Sequence, residues 1–173
     1  MRRATKLAEK MIKVDHAGEN GAVNIYRAQA LVAQFRARSI LADLIDFKKH
    51  EERHRQLFSD YLDTNGIRRC VSYHLCGFGG FALGFFTGLM GPKAIFATTY
   101  AVENVVLEHL QYQLGYLKSH DSYAYNCVNE IVIDELEHHD TAASQIDPNS
   151  ILTKALIKIV KLCTEAVIGF GMR

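Results

Sequence analysis

Apolar residues recur along this chain at alternating intervals of three and four, the period at which one face of an α-helix returns. Leu44, Phe47, Glu51, His54, Phe58 and Tyr61 step by 3, 4, 3, 4, 3, and Val128, Ile131, Glu135, His138, Ala142 and Gln145 repeat those steps. Phe96, Thr99, Glu103, Val106 and Leu110 form a third stripe of the same kind. No stretch alternates with the two-residue period of a strand. The pattern predicts a first helix from about Thr5 to Arg36 and a second from about Ile40 to the Asn65-Gly66 turn. A third begins at Pro92, a residue suited to a first helical turn, and runs to about Lys118. Ser119 to Ser122 reads as a connection, and a fourth helix spans about Tyr123 to Gln145. After the break at Asp147-Pro148-Asn149, Ser150 can cap a fifth.

Two segments fall outside a four-helix plan. Residues 70–92 contain no Asp, Glu, Lys or Arg and carry Phe78, Phe81, Leu83, Phe85, Phe86, Leu89 and Met90. Their length is enough to cross a bilayer, but the six glycines among them weaken an isolated span, and the flanking helices return to one bundle. A hydrophobic hairpin or short helix lying in a membrane interface is the leading expectation, with insertion into the buried core and a true span as the alternatives. Residues 150–173 place Lys154, Lys158 and Lys161 on one helical face and Ile151, Leu152, Leu156, Ile159 and Val160 on others. Such a helix either lies on an anionic membrane surface or caps the bundle with its lysines in water.

The stripes contain residues that ordinarily stay out of a core. Glu19 is followed thirty-two positions later by Glu51-x-x-His54, and Glu103 by Glu135-x-x-His138 at the same gap. An unpaired buried carboxylate costs several kcal/mol or is forced to neutralise (about 1–3 kcal/mol even for a polar group), so these charges need partners. Two divalent cations balance four carboxylates. Four helices bearing Glu, Glu-x-x-His, Glu, Glu-x-x-His are the arrangement by which ferritin-like bundles hold two metal ions. Surface ion pairing explains Glu52, which lies off the stripe among Lys48, Lys49, Arg53 and Arg55, but not His54 and His138. His109, His120 and His139 read as surface or supporting residues, and His16, one turn before Glu19, as either.

A competing motif overlaps the first pair. His50-Glu51-Glu52-Arg53-His54 is literally H-E-x-x-H, the zinc-protease phrase. His50 would then have to share a side with His54, which displaces Glu51 and His54 from the apolar stripe, and no third ligand phrase follows. Carboxylate-rich sites with one imidazole per ion suit iron(II) or manganese and lack the thiolates typical of structural zinc. In such a site Glu51 and Glu135 bridge the ions, with Glu19 and His54 on one and Glu103 and His138 on the other.

Composition narrows the setting. A chain of 173 residues, 49% hydrophobic and interrupted by only two prolines, is long enough for one domain with a sizeable core. Its 20 basic and 19 acidic residues give no clustered positive surface for nucleic acid. Cys70, Cys76, Cys127 and Cys163 form no C-x-x-C pair and are expected as reduced, mostly packed thiols. Helical periodicity begins within a few residues of Met1-Arg2-Arg3, too early for a secretory or transit segment, so the expectation is a cytosolic-side protein or a mature form whose targeting sequence was removed.

The residues flanking the ligands resemble those of the demethoxyubiquinone hydroxylases of ubiquinone biosynthesis. Val14-Asp15-His16-Ala17-Gly18-Glu19-Asn20-Gly21-Ala22 is close to that family's DHAGExGA signature. Gly80-Phe81-Ala82-Leu83-Gly84 looks like its G-F-A-L-G stretch, and Asp134-Glu135-Leu136-Glu137-His138-His139-Asp140 is similar to its DELEHHD. The resemblance spans about residues 8–145. It implies an all-α, ferritin-like four-helix bundle in a single domain over residues 1–173, with the apolar insert at about 70–92 and a C-terminal amphipathic helix.

It also implies a membrane-peripheral di-iron monooxygenase that uses O2 to hydroxylate the ring of a polyprenyl demethoxybenzoquinone. The ligands carried over are Glu19, Glu51, His54, Glu103, Glu135 and His138, to two iron(II) ions. Electrons would come from NADH or from the quinol itself, although no Gly-rich dinucleotide loop is visible. The expected location is the cytoplasmic side of a bacterial inner membrane, with the matrix side of the mitochondrial inner membrane as the alternative. A homo-oligomer and a lipid-presenting partner both stay open. Asn104 stands where many members have a second Glu, and Leu110 where some have Tyr. The competing function is a ferritin-like iron-storage or peroxide-handling protein, which has no use for a long apolar insert.

Overall fold

The computed structural model describes residues 5–172, so the opening Met1-Arg2-Arg3 and the terminal Arg173 lie outside the described residues. Six α-helices account for nearly all of the described chain: α1 (Lys6–Arg36), α2 (Leu41–Thr64), α3 (Tyr73–Met90), α4 (Pro92–His120), α5 (Ser122–Gln145) and α6 (Ile151–Gly171). A 3-10 turn at Arg38–Ile40 leads into α2.

Local chemistry sets the ends. The Thr5 hydroxyl accepts from the Ala8 amide and opens α1, and Ser150 does the same for α6 through Thr153. Pro92 starts α4 as its missing N–H requires. The expected Ser119–Ser122 connection is shorter than the sequence implies. α4 continues to His120, and Asp121 alone makes the junction. Its carboxylate caps α5 at the Ala124 amide and accepts from the Tyr61 hydroxyl 2.7 Å away, pinning the turn to α2.

α1, α2, α4 and α5 form the bundle, and its interior is layered. At one end Met11, Ile12, Phe58, Tyr61, Leu117, Val128 and Ile131 pack together. At the other Tyr26, Ala33, Leu44, Phe47 and Ile95 do so. The membership of these two clusters gives three directions: α1 runs from the first to the second, and α2 and α4 the opposite way, while the one-residue junction at Asp121 turns α5 back along α4. Burial of each large side chain contributes about 1.5–3 kcal/mol. The ligand-type residues sit between these two apolar plugs.

Of the expected hairpin or short helix, α3 takes the helical form and is longer than expected. It is one continuous helix that carries the chain back from the end of α2 to the start of α4, the single long crossover of a ferritin-like bundle. It runs parallel to α1, with Gly77, Gly80, Gly84 and Gly88 facing Asn20, Gly21, Ile25 and Val32 in order. A Cβ at Gly80 would fall on the Gly21 carbonyl, and one at Gly84 on the Ile25 carbonyl. Glycine here permits backbone contact rather than breaking the helix. The opposite face leaves Phe78, Phe81, Phe85, Phe86, Leu89 and Met90 exposed. Among the described residues α3 is the helix long and apolar enough to cross a membrane by length and composition.

α6 lies mainly across α4, with its end against α1 at Val14. Of its lysines, Lys161 is not simply in water: its ammonium contacts Asn104 and lies 5.9 Å from the Tyr100 ring. Asn104, the departure from the resembled family, is therefore a docking point for α6.

Candidate metal centre

All six residues expected to ligate are buried and lie mid-bundle: Glu19, Glu51, His54, Glu103, Glu135 and His138. They fall into two groups, Glu19, Glu51, His54 and Glu135, then Glu51, Glu103, Glu135 and His138, each with one ligand atom per residue within 4.8 Å of the others. Glu51 and Glu135 belong to both. The stripes explain this convergence, since each helix turns its apolar face inward and brings its Glu or Glu-x-x-His with it.

The imidazoles are oriented crosswise. His54 Nδ1 lies 3.0 Å from Glu135 Oε1 and His138 Nδ1 3.2 Å from Glu51 Oε1. Yet these four atoms have no hydrogen-bond partner. The other nitrogen of each ring is engaged elsewhere, His54 Nε2 with Asp134 at 2.8 Å and His138 Nε2 with His50 at 3.1 Å. With its proton on Nε2, each ring turns a lone pair on Nδ1 towards carboxylate oxygens. Lone pairs facing lone pairs in a buried space are unfavourable unless a cation lies among them.

The ionisation tendencies agree. Burial, with the neighbouring Glu51 and Glu135 carboxylates, holds Glu19 and Glu103 well above the usual carboxylate range. Burial alone would lower His54, but the Glu135 and Glu51 carboxylates beside it push it up to about 10. His138 is likewise raised against burial by Glu51 and Glu135. Burial pushes Glu51 up, and the two imidazoles more than reverse that. Acids that resist losing protons beside bases that resist losing theirs describe one cluster short of positive charge. Two divalent cations supply it, so the residues fit a di-metal centre.

The overlapping H-E-x-x-H phrase resolves the same way. His50 and His54 point to different partners, the first backing His138 and the second facing Glu135. His16 is a separate feature, stacked on Tyr73 at 4.8 Å and pushed down to about 4 by burial with Arg69 and Arg55 nearby. Glu52 pairs with Lys48 at 3.0 Å on the helix flank, as the surface reading expects. Three cysteines are buried and Cys163 is exposed, all as free thiols.

Three supporting residues were not apparent from sequence. Asp134 receives Arg53 as well as His54, and although burial raises its carboxyl, these contacts hold it below the usual range. The Tyr26 hydroxyl donates to Glu103 Oε1 at 2.8 Å. His50 completes the set. The available signal was positional: Asp134 and His50 each immediately precede a Glu-x-x-His glutamate.

Beside the cluster lies a cavity of about 500 Å3, lined by α1, α3, α4 and α6. Glu19, Glu51, Glu103 and Glu135 reach it, while Leu83, Val106, Val160 and Val167 are among its apolar walls.

A helical bundle with one long crossover and doubled Glu and Glu-x-x-His residues at mid-height defines the ferritin-like class of carboxylate–histidine proteins. Within that class, residues 6–171 match the family model described as "Ubiquinone biosynthesis protein COQ7", and the chain belongs to that family. It is 30% identical to the mitochondrial NADPH-dependent 3-demethoxyubiquinone 3-hydroxylase of Dictyostelium discoideum, covering 97% of this chain and 78% of that one. The protein of the same name from Rattus norvegicus is 32% identical over 87% of this chain and 71% of its own. A 3-demethoxyubiquinol 3-hydroxylase from Rhodospirillum rubrum is 32% identical over 78% of this chain and 63% of its own.

Proposed function

We propose that this chain is an O2-dependent di-iron monooxygenase that hydroxylates the ring of a polyprenyl demethoxybenzoquinol in ubiquinone biosynthesis. The observation that carries the reading is the apolar cavity reached by the four cluster glutamates. Such a cavity supports binding of an apolar, ring-sized ligand next to a site suited to redox-active cations. Glu19, Glu51, His54 and Glu135 would hold one iron, and Glu51, Glu103, Glu135 and His138 the other. Iron bound there supplies the activation of O2 needed to place one oxygen atom on the ring.

The chain's own residues do the rest. Asp134 and His50 keep the protons of His54 and His138 on Nε2, leaving both Nδ1 atoms free as donors. Tyr26 fixes the Glu103 carboxylate. Leu83 from α3 and Val160 and Val167 from α6 cover the cavity and exclude water from the reacting ring. Both covering helices also carry exposed apolar side chains, Phe78 and Phe86 on α3 and Leu162 and Phe170 on α6. That supports peripheral insertion into the membrane in which a polyprenyl quinone dissolves. The membrane is an inner membrane, on the cytoplasmic face in a bacterium or the matrix face in a mitochondrion. Electrons come from a reduced nicotinamide nucleotide, NADPH being the donor named for the mitochondrial relatives.

Iron storage would use the same carboxylates but leaves the apolar cavity without a role. The test is an iron assay followed by exposure of the reduced protein to O2 and a short-chain demethoxyquinol. Two irons per chain and a product heavier by one oxygen atom are expected. Two irons with no oxygenated product would favour storage, and a protein that takes up no metal would exclude both.

A further inference from the structure

The doubled ligand phrase brings with it a pair of residues that stand in equal positions but differ in chemistry. His50 precedes Glu51 and Asp134 precedes Glu135, and each reaches across the bundle to the imidazole of the opposite helix. Asp134 Oδ2 lies 2.8 Å from His54 Nε2. His50 Nδ1 lies 3.1 Å from His138 Nε2, the two rings stacked with centroids 5.3 Å apart and planes 11° from parallel. One imidazole is thus backed by a carboxylate and the other by a second imidazole.

We propose that this mismatch makes the two metal positions unequal: the ion held with His54 binds first and more tightly, the ion held with His138 binds second, and His50 is the positioning residue of the weaker position. The proposal rests on the di-metal reading above. An imidazole that ligates through Nδ1 carries its proton on Nε2 and donates it outward. An ionised acceptor makes that bond about twice as strong as a neutral one and raises the basicity of the ligating nitrogen. Asp134 supplies a carboxylate oxygen as that acceptor and also receives Arg53. His50, facing that ring through Nδ1, offers an imidazole nitrogen in place of a carboxylate oxygen. The nearest anion behind it, Asp46, is 4.0 Å from its Nε2 and 62% exposed, so water weakens its influence.

A second difference, independent of the histidines, has the same sign. Glu103 gives up part of its charge to the Tyr26 hydroxyl at 2.8 Å. Tyr26 stands seven residues after Glu19, and the matching position seven residues after Glu103 is Leu110, which has no hydroxyl to offer Glu19. Both the imidazole and the unshared carboxylate of the second position are therefore the poorer donors. Nothing in the spacing of the ligands, identical in both halves, would reveal this.

The experiment is an anaerobic iron(II) titration of the full chain followed by Mössbauer spectroscopy, with circular dichroism to confirm folding. In the unsubstituted protein one quadrupole doublet should dominate at one iron per chain, the other growing in only above that ratio. His50→Ala should weaken the second binding step by about 10–100-fold and leave the first unchanged, the usual size of effect for an outer partner of a metal ligand. His50→Gln, whose amide oxygen keeps an acceptor, should recover most of that loss, and Asp134→Asn should weaken the first step instead. Doublets that rise together from the first addition, or a His50→Ala effect equal on both steps, would overturn the proposal even if a variant folds poorly. Absence of iron binding would overturn it together with the di-iron reading. Unequal irons in a protein without hydroxylase activity would uphold it and remove only the function.

Discussion

Asp15 shows how one buried group registers the demands of the site around it. It stands one helical turn before Glu19, lines the cavity and accepts from Gln113 Nε2 at 2.8 Å. Burial pushes its carboxyl from 3.8 up to about 7, and the Gln113 bond only partly offsets that. Because the folded value lies above the unfolded one, the folded chain holds the extra proton between those limits. Stability tied to this group is fully present below the unfolded value and is lost as pH rises through 7. Asp15→Asn, uncharged at every pH, should therefore raise the Tm of chelator-treated protein near pH 8 and change it little near pH 4. Equal gains at both pH values would show that the substitution acts through packing instead. The six buried residues of the cluster were legible residue by residue, because a glutamate on an apolar stripe violates the rule that placed the stripe. His50, Asp134 and Tyr26 were not. Their roles depend on which helix faces which across the bundle, and the sequence period fixes only the face, not the neighbour.

At the scale of an element, α3 is where sequence and structure part most. Its glycines read as breakers because each lowers helix propensity by about 1 kcal/mol relative to alanine. Their spacing, 77, 80, 84 and 88, was itself the helical signal, and it describes a face pressed to the backbone of α1. What the missing Cβ atoms lose in propensity is offset by close packing of two long helices. The two kinds of glycine can be separated. Gly84→Ala would drive a methyl into the Ile25 carbonyl, whereas Gly79 has nothing within 4 Å of the same position. Gly84→Ala should cost about 1–3 kcal/mol, as overpacking does. Gly79→Ala should be neutral or stabilising by up to about 1 kcal/mol. Urea unfolding of both variants measures the contrast, and indistinguishable midpoints would mean that α3 does not need contact with α1. The bundle helices, by comparison, were placed within a few residues, because caps such as Thr5, Pro92 and Ser150 act locally and need no tertiary partner.

Across the whole molecule, the candidate metal ligands and the exposed apolar surface fall to different helices. The six ligand-type residues come from α1, α2, α4 and α5, and none from α3 or α6. Those two helices instead cover the cavity and turn Phe85, Phe86, Leu89, Ile159 and Leu162 outward. On the proposed function, a protein so divided should keep its cations when its outward apolar face is altered. Phe85→Asp and Leu89→Asp together should sharply reduce co-sedimentation with anionic lipid vesicles while the iron content of the purified protein stays the same. Phe85 is 42% exposed and Leu89 39%, so a large part of each residue already lies outside the core, and carboxylates there need not disturb the bundle. Burying a charged group in hydrocarbon carries a penalty of several kcal/mol, far larger than the gain from either apolar side chain. Lys154 and Lys158 on α6 add attraction to anionic headgroups, so binding of the unsubstituted protein should also weaken as salt rises. Vesicle binding unchanged by both carboxylates would assign the exposed apolar faces to a protein partner, and iron lost along with the lipid would show that α3 supports the metal centre after all.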